Sequence, residues 1–424
     1  MWYEDEVTSY KQKAKGENKM KIQQNKIKTA TIILGAVIIG LMLLSPMTVL
    51  PSVNAQSQLP SGSCSSISKK EIHDKATSLD NSKAKLMAEN SNNFKTKIQG
   101  HGYRFNSIFN TWSLDKTSCN LTWKTTNIVY SFNDTKGSMK NIVVTEDPAL
   151  TKIISVTEQV VSRASTSTNS YNWAGYEPYA MSSPTTKYPV YEATTTFTLP
   201  SITYPSNPTN ACKTNLGYQP CDLAIWDGIE DSLGGSNNLA QAGADEDITY
   251  NGGYQYSYYL WYEFLTTSPG GLTQCTGLTI NPSDSITSDV YGENTYGGSN
   301  TSYDISITDN TSNPVQLCTV TGQSFFTTST PYYGTFIDER LCNTNANPCP
   351  TSSMSTLPSF TSDTFSSTTM YYNGGTQSID SSFGVNGWYN EDKMNLNGSN
   401  PPNISNGAES SSSFTETYRN SLGT

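Results

Sequence analysis

The chain has 424 residues and a formal net charge of −10, which divides into +3, +5 and −18 for residues 1–55, 56–164 and 165–424. The last of these regions lacks the clustered cations that bind nucleic acid. It also has no histidine, since His73 and His101 both lie upstream, which excludes a Ser-His-Asp triad, a Cys-His pair or a His-ligated zinc site there.

The first segment, residues 1–55, predicts export. Lysines precede an apolar run at residues 30–50, and Val53-Asn54-Ala55 follows as a small-residue cleavage site. This order is typical of a secretory signal peptide. The run approaches the length of about 20 residues that spans a bilayer, so an anchor at the cell surface is the alternative. We expect a secreted protein that contacts a membrane only if this segment stays uncleaved.

Residues 56–164 predict a small α+β module. Residues 66–97 favour one or two amphipathic helices, and residues 120–144 contain short alternating runs typical of strands. The polar stretch at residues 163–170 has the composition of a cleavable linker. A cationic module before an anionic domain suggests a propeptide that docks on that domain and inhibits it, with docking weakened in acid. An ordinary accessory domain is the alternative.

Residues 165–424 predict one large all-β domain. Runs rich in Thr, Tyr, Val and Ile alternate with Gly, Asn and Pro punctuation about every ten residues, which favours a large antiparallel β-sandwich over βαβ units. The carboxylates of this region suit a solvated, acidic surface. The predicted strands include Val190–Leu199, Tyr254–Phe264, Leu278–Ile280, Ser302–Thr308 and Val315–Val320.

Eight cysteines in an exported chain predict disulfides. The spacing contains no C-x-x-C pair, so a metal site built from cysteines is the weaker interpretation, and we expect neither a metal nor a cofactor. Pairing of neighbours in the chain is one of several connectivities that stay open. It would join Cys64 to Cys119, Cys212 to Cys221, Cys275 to Cys318 and Cys342 to Cys349.

Five short segments carry the candidate chemistry, and each of them alone is weak evidence. They are Ser170–Tyr176 with Asn-Trp-Ala-Gly, Ile225–Asp231 with Trp-Asp-Gly-Ile-Glu, Leu239–Gly243 with Gln-Ala-Gly, Leu260–Phe264 with Trp-Tyr-Glu, and Thr335–Arg340 with Phe-Ile-Asp-Glu. In this order and spacing they resemble the glutamic peptidase family, the eqolisins, over most of residues 165–424. The resemblance implies a concanavalin A-like jelly roll without a cofactor.

The resemblance implies that Gln241 and Glu339 are catalytic. The other matched side chains are expected to line the substrate cleft: Trp173, Trp226, Glu230 and Glu263. Asp338 and Glu339 are adjacent, so in a strand they point to opposite faces and only one of them can enter a given cleft. A register shift of one residue would move the catalytic role to Asp338.

A carboxylate and a carboxamide supply what peptide hydrolysis needs. The carboxylate takes a proton from water, the amide donates to the developing oxyanion, and the new carboxylic acid protonates the leaving amine. An ordinary carboxyl pKa is about 4.3, so we expect an endopeptidase made as a zymogen and active on protein or peptide substrates in acid. The alternatives are a carbohydrate-binding or glycoside-hydrolysing sandwich and a non-catalytic cell-surface β protein.

Overall fold

The structure is a computed structural model, and the residues that it describes all lie within Ala55–Thr424. It describes residues 68–98, 100–133, 139–160, 172–183, 186–204, 221–232, 238–250, 252–265, 271–296, 301–327, 329–341, 355–373, 375–378, 387–392, 404–406 and 412–418. The predicted signal segment and linker lie outside these residues.

Three helices open the described part of the chain: α1 (Lys69–Thr77), α2 (Asn81–Asn90) and α3 (Asn92–Ile98). The sequence predicted one or two helices here. The extra breaks arise because polar side chains cap new helix starts, with Asp80 accepting from the backbone of Lys83 at 2.9 Å and Ser91 accepting from that of Phe94 at 3.3 Å. Within the described residues, no helix is long and apolar enough to cross a membrane.

A long antiparallel sheet contains strands from both ends of the chain. Its order is β21 (Ile404–Asn406), β22 (Phe414–Tyr418), β18 (Asp363–Tyr372), β7 (Val190–Thr198), β13 (Ser285–Gly292), β14 (Ser302–Asp309), β15 (Val315–Ser324), β1 (Tyr103–Leu114), β2 (Leu121–Asn133), β3 (Met139–Glu146) and β4 (Ile153–Val160), with β19 (Gly375–Ser378) beside β18.

A second antiparallel sheet holds the predicted site segments. Its order is β12 (Thr273–Gln274), β11 (Tyr254–Leu265), β10 (Leu239–Tyr250), β9 (Cys221–Glu230), β16 (Tyr333–Glu339), β5 (Trp173–Ser183) and β20 (Gly387–Asp392), with β6 (Thr186–Lys187) beside β5. A separate two-stranded piece pairs β17 (Ser359–Phe360) with β8 (Ile202–Thr203), and a short 3₁₀ helix spans Glu293–Tyr296.

The two sheets pack face to face and form a β-sandwich, which confirms the predicted fold class. One buried cluster combines side chains of both sheets, such as Val290 and Phe197 with Tyr262 and Phe336. The hydroxyl of Ser288 on β13 also donates to the backbone oxygen of Ala242 on β10 at 2.8 Å. The face of the second sheet that points into this cluster is called the inner face below, and the opposite one the site face.

One predicted strand, Leu278–Ile280, is not a strand. The Gln316 side chain takes the place of a strand partner. It accepts from the Thr279 N–H at 3.0 Å and donates to the Thr279 carbonyl at 2.9 Å. Both backbone groups of Thr279 are therefore satisfied without a ladder.

The described residues bear on the predicted disulfide pairings. Cys275 and Cys318 are bonded to each other, as pairing of neighbours predicted. Cys119 and Cys221 are also disulfide-bonded, and their predicted partners, Cys64 and Cys212, lie outside the described residues, as do Cys342 and Cys349. Those three pairings stay predictions.

Residues 68–160, the described part of the predicted N-terminal module, extend the long sheet. Strands β1 to β4 follow β15 without a break. The module also has its own core beneath α2 and α3, in which Phe94 and Ala88 pack on Ile128 and Val144. The division of the chain into a removable module and a later domain remains a prediction.

Candidate active site

The predicted site residues lie on one face of the second sheet. Directly opposed residues of antiparallel strands share a face. Gln241 is opposite Gly228 and Glu263, and Glu339 is opposite Ala224 and Trp173. Alternation along the strands puts further predicted residues on the same face: Trp226 and Glu230.

Both oxygens of the Glu339 carboxylate receive a hydrogen bond from a buried side chain. The Asn172 amide donates to Oε1 at 3.0 Å, and the Trp226 indole donates to Oε2 at 3.0 Å. Glu339 and Trp226 are 0 % exposed. Donors on a carboxylate favour its ionised form, so this arrangement suits a general base.

Gln241 is fixed by a different carboxylate. Its Nε2 donates to Glu263 Oε2 at 2.8 Å, and both side chains are buried. An amide nitrogen has two protons, so one remains for another acceptor. Gln241 Oε1 has no hydrogen-bond partner among the described residues and can accept from a water.

Gln241 and Glu339 are offset along the sheet. One strand, β9, separates them, and Gln241 aligns with Gly228 while Glu339 aligns with Ala224, four residues away. In an ideal flat sheet this corresponds to roughly 13 Å along the strands and about 10 Å across them. Trp226 and Gly243, which are opposed to each other, lie between them on the same sheet face.

Two glycines of the matched segments lie in close contact with neighbouring strands. A Cβ on Gly228 would lie 2.9 Å from Thr335 Oγ1 and 3.1 Å from the Cβ of Gln241. Gly175, from the Asn-Trp-Ala-Gly segment, has φ of +139° and leaves no room for a Cβ, which would lie 2.0 Å from the Phe336 carbonyl oxygen. Only glycine adopts this conformation at low cost.

Asp338 points to the inner face, away from Gln241. It lies among the buried carboxyls of Glu246, Asp363 and Glu416, which we call the inner carboxyl cluster. Burial, with repulsion from these neighbours, raises the pKa of Asp338 well above its ordinary value. The register therefore places Glu339, and not Asp338, beside the other predicted site residues.

A second group of acids lies on the site face next to Glu339. Asp245 is opposite Ala224, which is itself opposite Glu339. Burial, then repulsion from Asp247 and Asp222, raises the pKa of Asp245 well above its ordinary value. Burial also raises the pKa of Asp247 to about 7. These acids keep their protons in mild acid, so they add little negative charge beside Glu339.

Aromatic side chains form the walls of the site. Trp173, Trp226 and Trp261 belong to one buried cluster on the site face, and the rings of Trp173 and Trp226 meet edge to face with centroids 5.1 Å apart. Sequence analysis identified Trp173 and Trp226 but did not single out Trp261. It also missed Asn172, although Asn172 is the first residue of the matched Asn-Trp-Ala-Gly segment.

Within the described residues, one group of side chains could hold a metal ion. Ligand atoms of His73, Glu293 and Asp304 lie within 4.8 Å of one another. These residues belong to α1 and to the region of β14 in the long sheet, so they are remote from the site face. His73 Nδ1 lies 2.9 Å from Asp304 Oδ2, which is an ion pair when the imidazole is protonated.

Fold and site together define an all-β sandwich that carries a carboxylate and a carboxamide on one sheet face. The model of the Peptidase A4 family matches residues 171–397, which is more than half of the chain. The chain belongs to this peptidase family, and the predicted resemblance to the glutamic peptidases is confirmed.

Several solved structures are similar to the chain. Scytalido-glutamic peptidase with a transition state analog inhibitor is 18 % identical, with a TM-score of 0.41 over 58 % of this chain and 98 % of that one. SCP-B, described as a member of the Eqolisin family in a complex with a tripeptide, is 18 % identical, with a TM-score of 0.39 over 58 % and 98 %.

Aspergilloglutamic peptidase from Aspergillus niger is 21 % identical, with a TM-score of 0.34 over 47 % of this chain and 99 % of that one. No curated protein sequence matches the chain.

Proposed function

We propose that the protein is a secreted glutamic endopeptidase that acts in acid and is made as a zymogen. The observation that carries this proposal is the Glu339 carboxylate, held at both oxygens by Asn172 and Trp226 on the same face as Gln241. Membership in a peptidase family supports peptide bonds as the substrate. The apolar run at residues 30–50 supports export.

Glu339 is the general base of the proposed reaction. In its ionised form it takes a proton from a water bound beside it. The hydroxide attacks the scissile carbonyl carbon, and the free Nε2 proton of Gln241 donates to the oxyanion. Protonated Glu339 then gives its proton to the leaving nitrogen as the C–N bond breaks. Glu263 acts through Gln241 by fixing its amide.

Gln241 and Glu339 do not contact each other in this conformation, so the proposed reaction requires the scissile peptide and the attacking water to lie between them. Trp226 and Gly243 lie between the two side chains on the same sheet face. The indole supports both the Glu339 carboxylate and the apolar part of a bound peptide.

The closed state of the full chain supports a zymogen. Glu339 and Gln241 are both 0 % exposed, so a peptide cannot reach them in this conformation. Activation therefore has to uncover the site face. We propose that the N-terminal module acts as an intramolecular inhibitor, and that activation requires both a cut in residues 163–170 and acid, which weakens the docking of the module.

Acid treatment of the full chain tests the proposed function. At about pH 3 to 4, where ordinary carboxyls begin to protonate, we expect loss of the residues up to the 163–170 region and then cleavage of a denatured protein substrate. At pH 7 we expect neither. Mass spectrometry of the chain and gel analysis of the substrate measure both. An unshortened chain that leaves the substrate intact throughout acid would contradict the proposal.

A further inference from the structure

The N-terminal module is attached through the edge of the long sheet. Strand β1 pairs with β15 over six residue pairs, from Phe109 with Val320 to Leu114 with Val315. Without the module, β15 would be an edge strand with free N–H and C=O groups, which is a template for binding another strand. The module satisfies this edge by adding its own strands.

Apolar side chains reinforce the strand pairing. Trp112, Leu114 and Ile72 of the module share a buried cluster with Val315 and Leu317 of β15. The indole of Trp112 also donates to Thr319 Oγ1 at 2.8 Å. The contact thus has a buried, mixed core, as in stable protein interfaces.

The module reaches the edge of the second sheet as well. Ser107 Oγ lies 2.6 Å from the Tyr262 hydroxyl. Gln159 donates to the backbone oxygen of Gln274 and accepts from its N–H, both at 3.2 Å. The N-terminal module therefore contacts strands of both sheets: β15 of the long sheet, and β11 and β12 at the edge of the second sheet.

Helix α1 adds a buried charge contact. Lys69 pairs with Glu192 at 3.2 Å and with Asp289, and its ammonium lies 3.9 Å above the Tyr291 ring. One turn further on, His73 contacts Asp304. The carboxylates come from β7, β13 and β14, so the helix fastens the module to three neighbouring strands of the later domain.

We propose that β15, the β12 region and the acidic pocket of Glu192, Asp289 and Asp304 form a protein-binding surface whose partner is residues 68–160 as a separate polypeptide. After a cut between residues 160 and 172, the N-terminal fragment stays bound as a second subunit. Backbone pairing, the mixed core and the buried ion pairs hold it to the later domain. The proposal does not depend on catalysis.

The experiment cuts the full chain at one place. A recognition sequence for a site-specific protease is inserted in residues 161–171 of the Glu339→Gln variant, which prevents self-digestion. After the cut at pH 7, we expect both fragments to elute together in size exclusion at micromolar and lower concentrations. Fragments that elute separately would overturn the proposal.

Matched variants of helix α1 test the acidic pocket. Lys69→Ala leaves two buried carboxylates without their cation, and we expect it to raise the fragment dissociation constant roughly 30-fold or more. Lys70→Ala is the control, since the Lys70 side chain is exposed and pairs with Asp74 of its own helix. Equal binding of both variants would remove the pocket from the proposed surface. If Lys69→Ala does not fold, His73→Ala tests the same pocket.

A second inference concerns Asn172 and rests on the proposed function. Its amide donates to Glu339 Oε1, and its backbone carbonyl accepts from Arg340 N–H at 3.0 Å. Asn172 thus contacts both the side chain of Glu339 and the backbone of the next residue, Arg340. We infer that Asn172 is a positioning residue that keeps Glu339 ionised.

The pH profile distinguishes this role from a structural one. Asn172→Leu keeps the volume but removes the donor, so the acid limb of kcat/KM should move to higher pH by about half to one unit. Ser288→Ala, which also deletes a buried hydrogen bond, should leave the limb in place. An unmoved limb in Asn172→Leu contradicts the inference, while an active Glu339→Gln contradicts the proposed function itself.

Discussion

Replacing Glu339 with Gln should lower kcat for peptide cleavage by roughly 10³-fold or more, which is the range that general acid–base catalysis contributes. Glutamine preserves the size of the side chain and can still accept from Asn172 or Trp226, but it cannot take a proton from water. Gln241→Ala should cost about 10²- to 10³-fold, because it removes an oxyanion donor. Initial rates on a denatured protein substrate in acid measure both.

The neighbouring residue provides the control for Glu339. Asp338→Asn changes a carboxyl one position away, but that side chain points to the inner face among Glu246 and Asp363. We expect its rate in acid to equal that of the unaltered chain, and circular dichroism to show the same fold for all variants. If Asp338→Asn were inactive and Glu339→Gln active, the roles would have to be exchanged.

The sequence was sufficient for the fold class, and it also placed the predicted site residues on strands. Alternating β-branched and aromatic runs predicted the strands at Val190–Leu199, Tyr254–Phe264, Ser302–Thr308 and Val315–Val320, because the period of two is a local property. The motif order then identified six side chains on one sheet face. Within one strand, alternate residues point to the same face of the sheet. The spacing of residues inside each motif therefore already indicates which of its side chains share a face.

Long-range pairing was not accessible from the sequence. Nothing local in Tyr103–Leu114 indicates that it pairs with Val315–Ser324, some 200 residues later, because any edge strand offers the same backbone groups. The module was therefore predicted as a separate unit, whereas its strands continue the long sheet. Asn172 was missed for a related reason, since its partner Glu339 is 167 residues away.

The burial of the acidic residues in the later domain differs most from what the composition predicted. Their number suggested a solvated surface, yet Asp222, Glu246, Asp338 and Asp363 are each at most 1 % exposed. Composition counts carboxyls but does not say which side of a strand they occupy. Their burial leads to a prediction about stability that the composition alone could not support.

Stability should fall as pH rises from about 4 to 8. Burial, the largest cause, raises the pKa of Asp363 to about 8, and burial with repulsion from Asp363 raises the pKa of Glu246. Their unfolded values lie near 4. Between these limits the unfolded chain releases protons that the folded chain retains, so the free energy of unfolding decreases as the pH rises. Below about pH 4 both states are protonated and the penalty disappears.

Asp363→Asn should abolish part of this pH dependence. The amide resembles the protonated carboxyl in shape and cannot ionise, so the variant should exceed the parent in unfolding free energy by a few kcal/mol at pH 7, as a shift of about four pKa units implies, and match it near pH 4. Asp147→Asn is the control, because Asp147 is a half-buried acid outside the inner carboxyl cluster whose pKa is lowered, chiefly by its hydrogen bond to the Thr151 side chain.

Thermal unfolding at several pH values in the Glu339→Gln background measures both effects without self-digestion. Raised pKa values at the inner carboxyl cluster and lowered ones at exposed acids predict opposite slopes, so the sign of the observed slope decides between them. A midpoint temperature that increased steadily from pH 4 to 7 would mean that the inner carboxyls are ionised and paired in the folded state. The observed burial of Asp338 and Asp363 predicts the reverse, a fold held together best where its carboxyls carry their protons.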